Sequence, residues 1–402
     1  MRSPYAVIAA GTLVAVGGII TLGVASPEML KTANTMRVED FGAYWTATKV
    51  NQRGRDAYRA ENLLPLQQEI EPDRTEPLAA WSPPWTSAIM DPLARLDYAV
   101  ARWAWRFLQI ATLFLATTLL WRTYGGAPER LIWMWCCSLA WYPSLQMLGL
   151  GQHSNLVLLG AAGWIAGLAA GCPFLAGMML SLTLVKPQNL YLLGLLAAVW
   201  AIDRRQWQAV AGGICGTIAM SVVVAIQNPD VFTQYFDALG SRPPTTTIPP
   251  TIGMLLRLTF GWDRFWLSFL PPAGGLIWAA WYYLRHRADW IWSVRGPLVV
   301  LVSCITSPYG WVYDQVLFLI PLAVVLSRLS HRRDGLSRGV MAVIGLTGVC
   351  LLLHQAGLRE LTFVWLAPLC LTLYLLAGGA DNRPSPNPPG TASDDKVMPS
   401  AE

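Results

Sequence analysis

The chain has 402 residues, of which 54% are apolar and only 13% charged, and it carries a formal net charge of +5. Soluble domains hold roughly a quarter of charged residues, so most segments here must face hydrocarbon or one another, and water-soluble enzyme folds are excluded. Twenty tryptophans and 13 tyrosines suit headgroup level, and long apolar runs without period-two alternation exclude a β-barrel.

The pattern predicts an all-α, polytopic membrane protein. The first apolar run, residues 6–25, is too long for a typical signal sequence and reads as a retained crossing. A long connection, 27–96, follows. Within it Phe41, Tyr44, Trp45 and Thr48 recur at helical spacing after Glu39-Asp40, predicting a short amphipathic helix along the outer interface. The stiff turn Trp81-Ser82-Pro83-Pro84-Trp85 leads into a second surface helix. Further crossings are predicted near 98–121, 131–149, 154–171, 173–185, 188–202 and 207–226. After a second large connection, 227–264, come 265–284, 294–308, 312–329, 338–354 and 361–377. That makes about twelve crossings in one unit, 1–377. The tail 378–402, with Pro384, Pro386, Pro388 and Pro389, reads as a disordered cytoplasmic extension.

With the N-terminus inside, the short inward loops hold Arg122 and Arg130, Arg204 and Arg205, Arg285 and Arg287, and Arg328, Arg332 and Arg333. The short outward turns at 151–153, 187–189 and 309–311 hold no Arg or Lys, although Lys186 borders one. This asymmetry orients the chain. Seven cysteines lie in or beside apolar runs at no metal-ligand spacing and read as small core residues. Four histidines without a paired motif predict no metal site.

The remaining polar residues fall on the outer side: Asp40, Gln152, His153, Asn155, Lys186, Gln188, Tyr309, Tyr313 and Asp314. Lys186 is the costliest, since a lysine at mid-helix costs about 2.5–3.5 kcal/mol on insertion scales. It is either a loop lysine reaching water or a phosphate contact, and Pro187 pushes it out of helical geometry. Asp40 could be a helix N-cap, and Asp314 likewise. His153 could merely satisfy carbonyls between two helices.

These residues sit in a series of short motifs. Asp40-Phe41-x-x-Tyr44-x-x-Ala47, Gly54-x-x-x-Tyr58 and Trp81-Ser82-Pro83-Pro84-Trp85 with Pro92-Leu93-Ala94 come first. Gly151-Gln152-x-x-Asn155, Lys186-Pro187-Gln188 and Ser307-Pro308-Tyr309-x-Trp311-x-x-Asp314 follow. In order and side, over residues 38 to about 325, they resemble glycosyltransferase family 87, the polyprenol-phosphate-mannose-dependent branch of GT-C enzymes. The resemblance implies a multispanning enzyme that moves a hexose, mannose in the best-known case, from a lipid-phosphate carrier to a lipid or glycan hydroxyl outside the cytoplasm. The lipid-linked sugar is then a substrate, and no cofactor or nucleic acid is implied. It also implies that Asp40 is the general base. Relatives carry a histidine pair after Ser-Pro-x-x-Trp, where this chain has Val312-Tyr313-Asp314, so Asp314 stands at a comparable polar position.

The chemistry is coherent. A hydroxyl attacks an anomeric carbon only as a carboxylate takes its proton, and the departing phosphate needs cations in a poorly solvated cavity. Lys186 is the leading cation, with Arg257 and Arg264 as helpers. Gln152, Asn155 and Gln188 could hydrogen-bond sugar or phosphate, and Tyr44, Tyr58, Trp81 and Trp85 could stack on sugar rings. Direct displacement would invert the anomeric centre in a bacterial plasma membrane. The alternative is a twelve-helix secondary transporter, whose site would lie nearer the midplane.

Overall fold

The computed structural model describes residues 39–79, 81–241, 247–332, 334–357 and 360–378; the expected first crossing and the tail from 379 onward lie outside them. Among the described residues there are helices and no strands. Three short helices come first: α1, Asp40–Gln52; α2, Ala60–Gln68; and α3, Thr86–Ala94. Then follow α4, Tyr98–Thr123; α5, Leu131–Ala140; α6, Tyr142–Leu150; α7, Ser154–Ala169; α8, Pro173–Ser181; α9, Tyr191–Asp203; and α10, Trp207–Gln227. The second large connection folds into α11, Val231–Ser241, and α12, Ile252–Phe260. The chain closes with α13, Leu270–His286; α14, Trp292–Thr306; α15, Leu319–Ser330; α16, Gly335–Gln355; and α17, Leu366–Leu376.

Each described apolar run is therefore helical, but four helical stretches are long and apolar enough to cross a membrane unaided: Tyr98–Thr123, Trp207–Gln227, Val312–Ser330 and Gly335–Gln355. Others are shorter because the backbone breaks. The run 131–149 is two helices, parted where Trp141 turns extended ahead of Pro143, whose ring clashes with a preceding helical carbonyl. Leu182–Val185 and Val312–Phe318 are wound as 3-10 helices. Irregular backbone of this kind survives in an apolar body only where protein or a water-filled cavity surrounds it.

α7 is the axis. Every side from Ser154 to Ile165 is buried, with α4, α8 and α14 packed around it. Apolar side chains point outward elsewhere, as with Phe107, 73% exposed, and Ile226, 77% exposed, which suits contact with hydrocarbon. α8 and α10 pack closest, because a Cβ on Gly177 would collide with the Ala209 carbonyl and one on Gly212 with that of Phe174.

The interfacial helix anticipated at Phe41–Thr48 is instead interior. α1 buries Phe41, Ala43, Trp45, Thr46, Thr48 and Val50, which lie around its whole circumference, since α2 and α3 pack against it and roof it over. At the opposite end, the basic connections tie to one another. Arg130 donates to the Ser330 carbonyl at 2.6 Å, Arg328 to that of Ala377 at 3.0 Å, and Arg204 to that of Ala288 at 3.2 Å. The arginines thus satisfy helix C-terminal carbonyls that no intrahelical N–H can reach.

Gly212→Leu is expected to lower stability by about 1–3 kcal/mol through overpacking, read as an earlier thermal transition in detergent. Gly274→Ala, whose added Cβ meets nothing within 4 Å, should not lower it.

Candidate active site

The turn between α6 and α7 begins the site. Gly151 adopts φ +71°, and a Cβ there would come within 2.6 Å of the Phe41 Cβ. Only glycine is both left-handed without strain and thin enough to let the start of α1 lie against this turn. The turn is fastened from α4, where Trp105 Nε1 donates to the Gly151 carbonyl at 2.8 Å and Gln109 Nε2 to the Gln152 carbonyl at 2.8 Å. Asp40 and Gln152 are thereby brought together across 112 positions of sequence. Gln152 Nε2 donates to Asp40 Oδ2 at 2.6 Å.

Asp40 is thus the first residue of α1, with Glu39 at the N-cap and no side-chain cap, so the capping role open to it in the sequence is not the one it takes. Glu39 instead pairs with Arg102 at 2.6 Å and Arg106 at 2.9 Å. Burial holds the Asp40 carboxyl above the ordinary carboxylate range; the Gln152 hydrogen bond and the Lys186 charge act against this shift, and the Asp314 charge adds to it.

Gln152 joins Asp40 to a second cluster. Its Oε1 accepts from Tyr44 OH at 2.9 Å and from Lys186 Nζ at 2.7 Å. The reverse carboxamide orientation would turn its N–H groups toward an ammonium that can only donate, so the network admits one orientation. Tyr44 keeps its proton, because burial raises its phenol well above the ordinary range.

Lys186 leaves helical geometry at φ −138°, ψ 72°, as the following proline requires. Its ammonium is buried and donates to Gln152, to Ser154 Oγ at 3.0 Å and to Asp314 Oδ1 at 2.7 Å. These partners engage all three of its protons. The ammonium also lies 4.4 Å from the centre of the Tyr313 ring, in cation–π range. Asp314 in turn accepts from Ser154 Oγ at 2.6 Å and from the Trp311 backbone N–H at 2.9 Å. It is therefore both a cap, as its position in the sequence allowed, and the ion-pair partner of Lys186.

His153 is fully buried, its ring stacked on Tyr44 at 3.8 Å and edge-on to Trp105 at 5.2 Å. It bonds no carbonyl, since among the described residues neither ring nitrogen has a hydrogen-bond partner. Burial, with the Lys186 charge, holds its imidazole well below the ordinary range and so uncharged.

Other candidates lie apart from this core. Asn155 bonds Thr112 Oγ1 at 2.8 Å beneath the turn. Gln188 offers its backbone carbonyl to Ser307 Oγ at 3.0 Å. Tyr309 accepts from Trp311 Nε1 at 2.9 Å. Trp85 Nε1 reaches the Leu184 carbonyl at 2.9 Å, fastening the segment before Lys186 rather than facing it. Tyr58 donates to the Ser82 carbonyl at 3.3 Å, and Trp81 and Arg264 are exposed. Arg257 is buried on its own loop, donating to the Trp262 carbonyl at 2.9 Å. Ser154, which links Lys186 to Asp314, went unnoticed in the sequence although it lies inside the Gly151–Asn155 motif. Nothing around Gln109 or Trp105 marked them, because they act on backbone carbonyls. Among the described residues no group of three or more His, Cys, Asp or Glu could hold a metal ion.

Removing Lys186 leaves Asp314 buried without its countercharge. Lys186→Met should cost about 3–5 kcal/mol of stability, and Lys186→Met combined with Asp314→Asn should recover part of that loss, measured by thermal unfolding as a double-mutant cycle.

A half-buried carboxylate and a buried ion pair, joined by one carboxamide at the end of a helical membrane body, are parts that can support acid–base chemistry. Among curated proteins and among solved structures nothing matches the chain. The model for glycosyltransferase family 87 matches residues 82–308, more than half of it. The match contains Gln152 and Lys186, while Asp40 and Asp314 flank it and join them only in three dimensions. The chain belongs to glycosyltransferase family 87 and is a membrane glycosyltransferase.

Proposed function

We propose that the protein transfers a hexose, mannose in the first instance, from a polyprenyl-phosphate carrier to a lipid or glycan hydroxyl on the extracytoplasmic side. The observation that carries this reading is the Gln152 carboxamide held between Asp40 and Lys186. Asp40, deprotonated, takes the acceptor's proton as its oxygen attacks the anomeric carbon. The bond from that carbon to the phosphate oxygen breaks in the same displacement, the configuration inverts, and the lipid phosphate departs with the electron pair. A carboxylate raised above its ordinary value is the better base for this step.

The reading gives the cations distinct parts. Lys186 has every proton engaged, so a phosphate could meet it only by displacing an acceptor, and Ser154 at 3.0 Å is the longest of the three contacts. Arg264, exposed on the second large connection, keeps the helper role toward the phosphate. Lys186 neutralises Asp314, so the nearest positive charge to Asp40 lies one carboxamide away.

About twelve crossings of a bacterial plasma membrane, N-terminus inside, go with this reading. It is supported by the gathering of basic connections at one end and of Asp40, Lys186 and Asp314 at the other. Within that arrangement α1 to α3, α11 and α12 belong to the outer face.

With polyprenyl-phosphate-linked radioactive hexose, the purified protein should release free lipid phosphate and yield glycosylated product. Asp40→Asn should lower kcat by about 10²–10⁴-fold with KM little changed; full turnover would remove Asp40 as the base. Because its folded-state pKa lies above 3.8, the proton-accepting form is lost as pH falls through that raised value. The acid limb of kcat/KM should therefore lie above the ordinary aspartate range. For topology, cysteines placed at Ser82 and Ser337 in a cysteine-free background should react with a membrane-impermeant reagent from opposite sides. Labelling from one side would overturn the orientation.

A further inference from the structure

Asp314 also lines a narrow cleft that neither Asp40 nor Gln152 reaches. Its polar wall is Asn189, Ser307, Gly310, Trp311, Asp314 and Gln315. Asn189 is 2% exposed and Gln315 7%. Among the described residues the Asn189 side chain has no hydrogen-bond partner at either Nδ2 or Oδ1, and Gln315 Oε1 has none. A buried polar group left unmet costs about 1–3 kcal/mol, and Asn189 leaves two in one place. Gly310 keeps the cleft open beside them: an added Cβ would lie 3.4 Å from Asn189 Oδ1 and 4.0 Å from Asp314 Oδ2.

We propose that this cleft receives the hydroxyl-bearing edge of a pyranose and that Asn189 reads the arrangement of its hydroxyls. A carboxamide presents a donor and an acceptor side by side, matching two neighbouring hydroxyls that each donate and accept. Gln315 Oε1 adds an acceptor, and the Trp311 indole supplies an apolar wall for ring C–H groups. No Lys, Arg or His lines the cleft, which selects a neutral edge over a phosphate.

The inference rests on the glycosyl-transfer reading and names which sugar is held. The opposite wall, with Ile305, Phe318, Val364 and Pro368, is apolar, and Pro368 is exposed on the outside of the body. The cleft therefore has one apolar side near the outside of the body, which suits a lipid-linked sugar. Tyr44, which shares Gln152 with Asp40, instead lines a separate cleft with Thr48, Tyr58 and Ser82, which leaves that side for the hydroxyl acceptor. The pyranose at Asn189 is accordingly that of the lipid-linked substrate.

The test uses full-length protein carrying Asp40→Asn, so that no turnover occurs, titrated with polyprenyl-phosphate-linked mannose and with bare polyprenyl phosphate. The sugar-bearing lipid should bind at least tenfold tighter than the bare one. Adding Asn189→Leu should abolish this difference while leaving affinity for the bare lipid unchanged. Gly310→Ala, which narrows the cleft beside the Asn189 carboxamide but leaves that carboxamide in the chain, should reduce the difference severalfold and serves where Asn189→Leu does not fold. If neither lipid binds the Asp40→Asn protein, the lipid-phosphate reading itself fails. If both lipids bind with the expected difference and both variants retain it, the cleft is no sugar subsite and Asn189 merely holds water. If instead the variants, on the Asp40 background, raise KM for the acceptor and leave the lipid difference intact, the assignment to the lipid-linked sugar is overturned.

Discussion

The site depends on one buried ammonium. Lys186 lies at the end of an apolar body where an unpaired charge is prohibitive, so every neighbouring element must bring it an acceptor. Gln152 and Ser154 come from the turn into α7, and Asp314 comes from the 3-10 segment ahead of α15. Satisfying one cation therefore fixes three separate connections in register. The irregular winding of Leu182–Val185 and Val312–Phe318 fits this, because tight 3-10 turns carry Lys186 and Asp314 to the shared point while the helices on either side stay apolar.

Gln152 turns that structural necessity toward chemistry. An ion pair closed on itself would leave the half-buried Asp40 carboxyl without the partners that offset its desolvation. By accepting from Lys186 and donating to Asp40, the carboxamide passes some of the cation's influence to the carboxylate without quenching it in a direct salt bridge. Burial raises the Asp40 carboxyl, and the Gln152 hydrogen bond and the Lys186 charge act against that shift. Tyr44 and His153 complete the arrangement through packing, one as a phenol kept protonated and the other as an uncharged ring wedged between Tyr44 and Trp105.

Much of the outline was legible in sequence, for a definite reason. Apolar runs in a membrane protein have one stable secondary structure, since the backbone must bond to itself; the described runs are helical near their predicted bounds. The motifs Gly151–Asn155, Lys186–Gln188 and Ser307–Asp314 were visible as polar interruptions of such runs, and Pro187 announced the departure of Lys186 from helix. The place of α1 was not legible, because a stripe of aromatics has the same pattern whether it lies against lipid or beneath other helices.

The sequence by itself determined that the chain is a helical membrane body whose polar motifs interrupt apolar runs, because composition and the cost of burying charge leave no other solution. Only the tertiary structure decided who meets whom. Asp314 rather than Asp40 takes the lysine, Ser154 joins them, and Arg257 turns away to brace its own loop. Pairing between turns more than a hundred residues apart depends on how α7, α4 and α15 pack, and no local spacing encodes it.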